Sequence, residues 1–99
     1  MKFHPSSKRY SKAFFNFCTK KIIIDSVIKD IVKLKKICEN NNKFLKIISN
    51  PITKQDTIYS LIKKILVGFD NETLNFINFL VQKKRINLLY EISSYFIDL

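Results

Sequence analysis

Apolar residues recur at intervals of three and four along almost the whole chain, and short polar segments interrupt them. Residues at this spacing share one face of an α-helix, which turns by about 100° per residue. The pattern predicts six helices joined by short connections, and therefore an all-α fold consisting of a single six-helix bundle. No linker, repeat or low-complexity segment divides the sequence, so we expect residues 1–99 to form one domain.

The boundaries of the first three helices are predicted from capping residues and from one proline. Ser6 or Ser7 is expected to cap the first helix, which runs to about Lys20. Asp25 is expected to cap the second helix, which ends in a run of glutamate and asparagine residues. A short third helix must stop before Pro51, because the residue before a proline avoids the helical conformation. The predicted buried stripe of the second helix consists of Val27, Ile28, Ile31, Leu34 and Cys38.

The last three helices are bounded by similar signals. Thr53, three residues before Asp56, resembles a weak capping box that opens the fourth helix. Gly68 stands where a residue in the left-handed conformation would end that helix. The fifth helix is expected to start at Asp70 or Asn71, and the last to run from about Asn87 to Phe96.

Two of these helices, the first and the fifth, carry more apolar surface than one packing contact requires. A helix at a protein surface typically shows an apolar stripe of about 100° or somewhat more. In both helices aromatic side chains extend the stripe further, so we expect apolar surface to remain for a partner after docking on the core. The arcs consist of Tyr10, Ala13, Phe14, Phe15, Phe17 and Cys18 in the first helix, and of Leu74, Phe76, Ile77, Phe79, Leu80 and Val81 in the fifth.

Three segments match a single protein family in order and in spacing. Residues 9–15, RYSKAFF, are similar to the family's Arg-Tyr-Ala-Lys-Ala-Leu-Phe opening. Residues 48–51, ISNP, resemble its Leu-Ser-Asn-Pro turn, and residues 75–86, NFINFLVQKKRI, resemble its Asn-Phe-Leu-x-Leu-Leu-x-x-Asn-Gly-Arg-Leu segment. On these segments nearly the whole chain resembles the N-terminal domain of the delta subunit of bacterial F-type ATP synthases, the counterpart of the mitochondrial oligomycin-sensitivity-conferring protein.

The chain departs from the family pattern at two places. Lys83 and Lys84 stand where the family usually has Asn-Gly. The chain also stops at Leu99, whereas family members continue into a second domain, so we expect the family's C-terminal domain to be absent. Since that second domain contacts the b-subunit stalk in the family, the resemblance leaves contact with the b subunit open.

The resemblance implies a non-catalytic role in a larger complex. In the delta family, a groove between the first and fifth helices holds the N-terminal helix of one alpha subunit. Such a subunit belongs to the peripheral stalk, which holds the catalytic head static while the central stalk rotates during proton-driven ATP synthesis. The implied protein is a monomer within a hetero-oligomeric complex, peripheral to the cytoplasmic face of the bacterial inner membrane. Position by position, the implied groove residues are Tyr10, Ala13, Phe14, Phe17, Asn75, Phe76 and Phe79.

The net charge of the chain suggests a different class of function, nucleic-acid binding. The sequence carries a formal net charge of +10, from 18 Lys and Arg residues against 8 Asp and Glu residues. Proteins that bind nucleic acid typically concentrate basic residues in one stripe. Here the lysines are spread over every segment, and Arg9 and Arg85 are the only arginines. We therefore expect no nucleic acid partner, and keep a small basic nucleic-acid-binding domain as the alternative, with a scaffold for some other amphipathic helix as a third option.

Catalytic and metal chemistry find little support in the sequence. His4 is the only histidine and has no second ligand at metal-binding spacing, so we expect it to be exposed and uninvolved. Cys18 and Cys38 are expected to be reduced, buried thiols. We therefore expect no catalytic residue, no metal and no cofactor. No apolar run approaches the roughly 20 residues of a membrane span and no signal-peptide core is present, so we expect a soluble intracellular protein without direct membrane insertion.

Overall fold

A computed structural model describes residues 4–99 of the chain. It confirms the prediction of an all-α bundle, with six α-helices and no strand within those residues. The helices are α1 (Pro5–Lys20), α2 (Ile24–Asn40), α3 (Asn42–Ser49), α4 (Gln55–Ile65), α5 (Asn71–Gln82) and α6 (Leu89–Ile97), with a short 3-10 turn at Ile86–Leu88 before α6.

Helix α1 begins earlier than predicted, because a histidine and a proline define its start. Pro5 occupies the first helical position, where its fixed φ and missing N–H favour helix initiation. The ring Nδ1 of His4 accepts a hydrogen bond from the Ser6 backbone N–H at 3.0 Å, so His4 is the N-cap. The prediction of Ser6 or Ser7 as the cap is therefore wrong, since both serines lie inside α1 and are buried. His4 is exposed, as predicted, and its side chain has a structural role as this cap.

Of the capping residues predicted for α2, α4 and α5, only the one predicted for α5 is a cap in the structure. Asp25 lies in the first turn of α2, and Ile23 precedes that helix without a side-chain hydrogen bond, so Asp25 is not the cap. Thr53 belongs to the preceding turn, because its N–H donates to the carbonyl oxygen of Asn50 at 3.0 Å, and α4 starts two residues later. Asp70 is the N-cap of α5, which confirms that prediction.

Helix α6 forms the centre of the bundle, since it packs extensively against both α1 and α2. The stripe predicted for α2 is buried except for Ile28, which is 37% exposed. Ile28 lies about 100° around the helix from Val27, so it does not share the buried face. The core includes Val27, Ile31, Leu34 and Cys38 from α2, Ile77, Leu80 and Val81 from α5, and Leu89, Ile92 and Phe96 from α6.

Small polar residues fix α1 against α6. Ser11 Oγ lies 2.8 Å from the carbonyl oxygen of Ile92 in α6 and 2.7 Å from that of Ser7, one turn earlier in α1. Ser7 Oγ donates to Glu91 Oε1 at 3.0 Å. Because these buried serines are small, α1 packs closely on α6 with one face and turns its aromatic side toward α5.

Helices α1 and α5 end in the same backbone motif. In each, a residue with a φ of 57° follows the last turn, Ile22 after α1 and Lys84 after α5. The N–H of the next residue then donates to a carbonyl oxygen in the last turn, at 3.0 Å in α1 and 2.8 Å in α5. Gly68, after α4, has a φ of 86°, which confirms its predicted left-handed conformation.

Candidate functional site

Helices α1 and α5 run antiparallel and meet through their aromatic side chains. The ring centroids of Tyr10 and Phe79 lie 6.2 Å apart, and the Phe14 and Phe76 rings stack with centroids 4.0 Å and planes 5° apart. Residue numbers in the contacting pairs rise along α1 and fall along α5, so the two helices are antiparallel. Within residues 4–99, α1 and α5 are not among the closely packed helix pairs. The two helices therefore leave a groove between them, and the stacked rings close its floor.

The groove has a volume of about 590 Å³. The structure brings all seven predicted groove residues together in its lining and adds Glu72, which the sequence interpretation missed. A signal for Glu72 was present, because it lies three and four positions before Asn75 and Phe76 and shares their helix face. Phe14 is only 5% exposed and also contacts the Phe96 ring in α6, so it belongs to both the core and the groove. The lining residues are Tyr10, Ala13, Phe14, Phe17, Glu72, Asn75, Phe76 and Phe79.

Much of the apolar surface in the groove is open to solvent. The side chain of Phe17 is 40% exposed and that of Phe79 is 41% exposed. Phenylalanine side chains usually bury most of their surface in the protein interior. Ala13 is exposed as well, and its small side chain keeps the space between α1 and α5 clear. Lys21 Nζ lies 5.8 Å from the Phe17 ring centroid, and Lys83 Nζ lies 5.7 Å from that of Phe79. Each exposed ring is thus bordered by a cation.

A larger cavity, of about 660 Å³, lies between the turn that follows α3 and the end of α5. Its lining mixes apolar side chains such as Ile58 with amides and hydroxyls such as Asn50 and Thr53. Gln55 Nε2 in this lining already donates to the carbonyl oxygen of Val81 at 3.0 Å. The groove between α1 and α5 is the more apolar of the two.

A buried carboxylate holds the first turn of α5 in place. Asp30 in α2 is 7% exposed, and its Oδ2 accepts hydrogen bonds at 2.8 Å from the Asp70 backbone N–H and from Thr73 Oγ1. The sequence interpretation missed this residue, although its spacing gave a signal. Asp30 lies three positions after Val27 and four before Leu34, so it shares their buried face.

The two thiols are buried, which confirms that prediction, and they are unreactive in character. Cys18 and Cys38 are free and have no exposed surface. Burial, together with the charges of Glu72 and Asp70, raises the pKa of Cys18 from 9.0 to about 11. Burial and the neighbouring Glu39 raise the pKa of Cys38 to about 12. Both thiols stay protonated at neutral pH, so neither acts as a nucleophile there.

Metal sites and membrane spans can be addressed for residues 4–99. In that part of the chain, no three His, Cys, Asp or Glu side chains gather as a metal site would require. No helix formed by these residues combines the length and the apolar character that crossing a membrane demands.

Fold and groove together define the class of this protein, an all-α domain that presents an open aromatic groove between its first and fifth helices. Residues 7–99 match the family described as ATP synthase delta (OSCP) subunit. The chain therefore belongs to the ATP synthase delta (OSCP) subunit family.

Individual relatives agree with this assignment. The chain is 32% identical over 95 residues to the chloroplastic ATP synthase delta chain of Chlamydomonas reinhardtii, covering 94% of this chain and 43% of the relative. It is 31% identical over 90 residues to ATP synthase subunit delta of Lactobacillus gasseri, covering 91% and 50%. The corresponding subunit of Syntrophus aciditrophicus is 26% identical over 92 residues, covering 91% and 51%. The chain spans about half the length of these relatives.

Proposed function

We propose that this chain is a peripheral-stalk component of an F-type ATP synthase and that its groove binds the N-terminal helix of an alpha subunit. The observation that carries the proposal is the meeting of seven residues, from two segments distant in sequence, in one open apolar groove. Membership of the delta (OSCP) family supports the assembly in which the groove would act.

The shape of the groove suits an amphipathic helix. Its walls are two antiparallel helices, with the exposed Phe17 and Phe79 rings at different points along it and Ala13 between them. A helix laid between these walls could insert apolar side chains at positions i, i+3, i+4 and i+7. Burying the exposed ring surface would contribute roughly 25 cal/mol per Å² of apolar area removed from water. Aromatic anchors of this kind commonly dominate the affinity of an interface.

In this proposal the chain acts mechanically and is not a catalyst. Its attachment to the alpha subunit would hold the catalytic head static against the rotating central stalk during proton-driven ATP synthesis. That position makes it a peripheral protein at the cytoplasmic face of the bacterial inner membrane, without insertion into the bilayer. We assign no groove residue to the b-subunit stalk, because the relatives are about twice as long as this chain and the family's second domain would make that contact.

Calorimetric titration with a peptide from the N-terminus of the cognate alpha subunit tests the groove. Ala13→Gln should obstruct the space between the walls, and Phe79→Ala should remove one wall. Truncation of such an anchor typically costs about 2 kcal/mol or more, which is roughly thirtyfold in affinity. Asn16→Gln is the matched control for Ala13→Gln, since Asn16 is exposed on α1 but does not line the groove.

Folding must be measured alongside binding. Phe79 is 41% exposed, so its truncation should cost less stability than the roughly 3–5 kcal/mol typical of a core phenylalanine. Both variants should retain helical content and cooperative melting. If Ala13→Gln folds normally and binds the peptide as tightly as the parent chain, the groove assignment is wrong.

Salt dependence separates this proposal from nucleic-acid binding. An affinity for DNA that rests on phosphate contacts falls steeply with salt concentration. Binding of the alpha-subunit peptide should depend weakly on salt, because apolar burial contributes most of it. Tight, salt-sensitive binding of generic DNA that Ala13→Gln leaves unchanged would favour the nucleic-acid alternative.

A further inference from the structure

The two exposed rings of the groove each lie beneath a lysine that continues the same helix face. Lys21 follows Phe17 by four positions and is the C-cap residue of α1, and Lys83 follows Phe79 by four positions and is the C-cap residue of α5. Their Nζ atoms lie 5.8 Å and 5.7 Å from the respective ring centroids. Because α1 and α5 are antiparallel, the two lysines lie at opposite ends of the groove.

The spacing of the two lysines follows from helix geometry. The Phe79 ring lies beside Tyr10, and Tyr10 is seven positions before Phe17 in α1. At a rise of 1.5 Å per residue, the exposed rings of Phe79 and Phe17 are therefore about 10 Å apart along the groove. Each lysine belongs to the next helical turn outward, and its side chain folds back over its ring. Since each ammonium group lies over its own ring, the two ammonium groups are separated along the groove by about the same 10 Å as the rings, which is roughly two helical turns or seven residues of a helix lying in it.

The two ends of the groove differ in charge. Glu72 lines the groove one helical turn before Phe76, which stacks on Phe14, so a carboxylate is already present in the half of the groove that leads to Lys21. Among the described residues that line the groove, no carboxylate lies beside Phe79 and Lys83. A helix that covered Phe79 would also remove water from the Lys83 ammonium, and a buried charge without a partner is costly.

We infer that the groove selects an amphipathic helix whose apolar stripe is bracketed by two carboxylates about seven residues apart, and that the carboxylate facing Lys83 is the stronger determinant. Residues i and i+7 of a helix lie within about 20° of the same face, so both carboxylates can border one apolar stripe. The inference rests on the proposed function and adds the charge pattern of the partner to it.

Three synthetic peptides with one common apolar stripe test the inference. They carry Glu, Gln or Lys at both bracketing positions, and each is titrated calorimetrically into the full chain. At about 0.1 M salt the Glu peptide should bind about fivefold more tightly than the Gln peptide, and the Lys peptide most weakly. At about 1 M salt the differences should shrink, because the screening length falls from about 10 Å to about 3 Å.

Charge reversals in the protein locate the effect. Lys83→Glu should reverse the preference, so that the Lys peptide binds more tightly than the Glu peptide. Lys21→Glu should weaken the preference without reversing it, since Glu72 already lies at that end. Lys36→Glu, an identical change of net charge at an exposed position on α2, should leave the preference as it is in the parent chain.

The outcomes distinguish a wrong charge pattern from a wrong groove. If all three peptides bind equally and Ala13→Gln weakens each of them, the groove stands and the inferred charge pattern is overturned. If Lys36→Glu changes the preference as much as Lys83→Glu does, net charge decides it and the inference is overturned too. If neither these peptides nor the alpha-subunit peptide binds, the groove itself is wrong and the inference falls with it.

Discussion

Ile22 and Lys84 hold a left-handed backbone conformation, with a φ of 57° at each. This conformation costs an L-residue other than glycine roughly 1–2 kcal/mol, and a β-branched side chain such as that of Ile22 is among the least suited to it. Ile22 is 89% exposed, so its side chain gains little from burial in return. The end of α1 is therefore strained at a position where glycine would be favoured.

Ile22→Gly should stabilise the chain. Relief of the left-handed strain outweighs the extra conformational entropy that glycine loses on folding, and we expect a net gain of about 1 kcal/mol in the free energy of unfolding. Urea unfolding of the two proteins measures the difference. Ile52→Gly is the matched control, because Ile52 is 86% exposed but has a negative φ. A gain for Ile52→Gly equal to that for Ile22→Gly would contradict the explanation by strain.

A second prediction at the scale of single residues concerns the reactivity of the two buried thiols. Cys18 and Cys38 should react slowly with a thiol reagent in the native protein and quickly in denaturant, since both are buried and protonated. Absorbance of the released chromophore measures the rates. Rapid labelling of both thiols in the native state would show that the helix faces have been assigned wrongly.

The same thiols should make stability depend on alkaline pH. Their pKa values are raised on folding, so the unfolded chain loses these protons first, from about pH 9 upward. The free energy of unfolding should therefore fall between pH 9 and about 11 as the unfolded thiols ionise while the folded ones do not. Replacing both cysteines with alanine should flatten this slope, whatever it does to stability at neutral pH.

At the scale of elements, α5 is fixed by its first turn and by its buried stripe. Asp30 ties the N-cap residue Asp70 and the side chain of Thr73 to α2. On the other side of the groove, α1 is held on α6 through Ser7 and Ser11. The groove thus lies between two walls that are hydrogen-bonded to different helices, α1 to α6 and α5 to α2, and that meet through stacked aromatic side chains.

Asp30→Ala should loosen α5 and lower the free energy of unfolding by about 3 kcal/mol, because two donors lose a charged acceptor in a buried place. Asp30→Asn retains an acceptor oxygen and should cost less. Hydrogen exchange at the Asp70 amide should accelerate in the alanine variant. Asp25 is an exposed carboxylate in the first turn of α2, the helix that contains Asp30. Asp25→Ala should lower the free energy of unfolding by less than about 1 kcal/mol. Equal costs for Asp25 and Asp30 would refute the anchoring role of Asp30.

At the scale of the whole molecule, the bundle has its own core and a high positive charge. Among residues 4–99, nineteen buried apolar residues, drawn from every helix, form one contiguous cluster. The net charge of +10 opposes self-association through long-range repulsion. Both features favour independent folding of the chain as a single particle.

The isolated chain should therefore be a helical monomer. Far-ultraviolet circular dichroism should be dominated by α-helix, and sedimentation equilibrium should give the monomer mass of 11.7 kDa. A spectrum dominated by strand or coil would overturn the fold. A mass of about twice that value would instead show that the exposed apolar surface joins two copies.

The sequence alone determined the number of helices, the breaks between them and the apolar faces of α1 and α5. These follow from local periodicity, because residues three and four apart share a helix face whatever the rest of the chain does. The seven groove residues came from such faces and from family resemblance, and the structure places all seven in one lining. The prediction that Ile28 is buried was wrong, because Ile28 lies about 100° around α2 from Val27 and so does not share the buried face.

Only the tertiary structure decided which polar residues are buried and which residues cap the helices. Ser7 and Ser11 resemble capping or surface residues, but both are buried and hydrogen-bonded to α6, which lies more than 80 positions away in sequence. Asp30 resembles a solvated carboxylate until α5 supplies its donors. The juxtaposition of α1 with α5 was likewise set by anchors on α6 and α2. Local sequence fixes which face of a helix is apolar, whereas contacts between distant segments decide what that face meets, because they depend on the path of the whole chain.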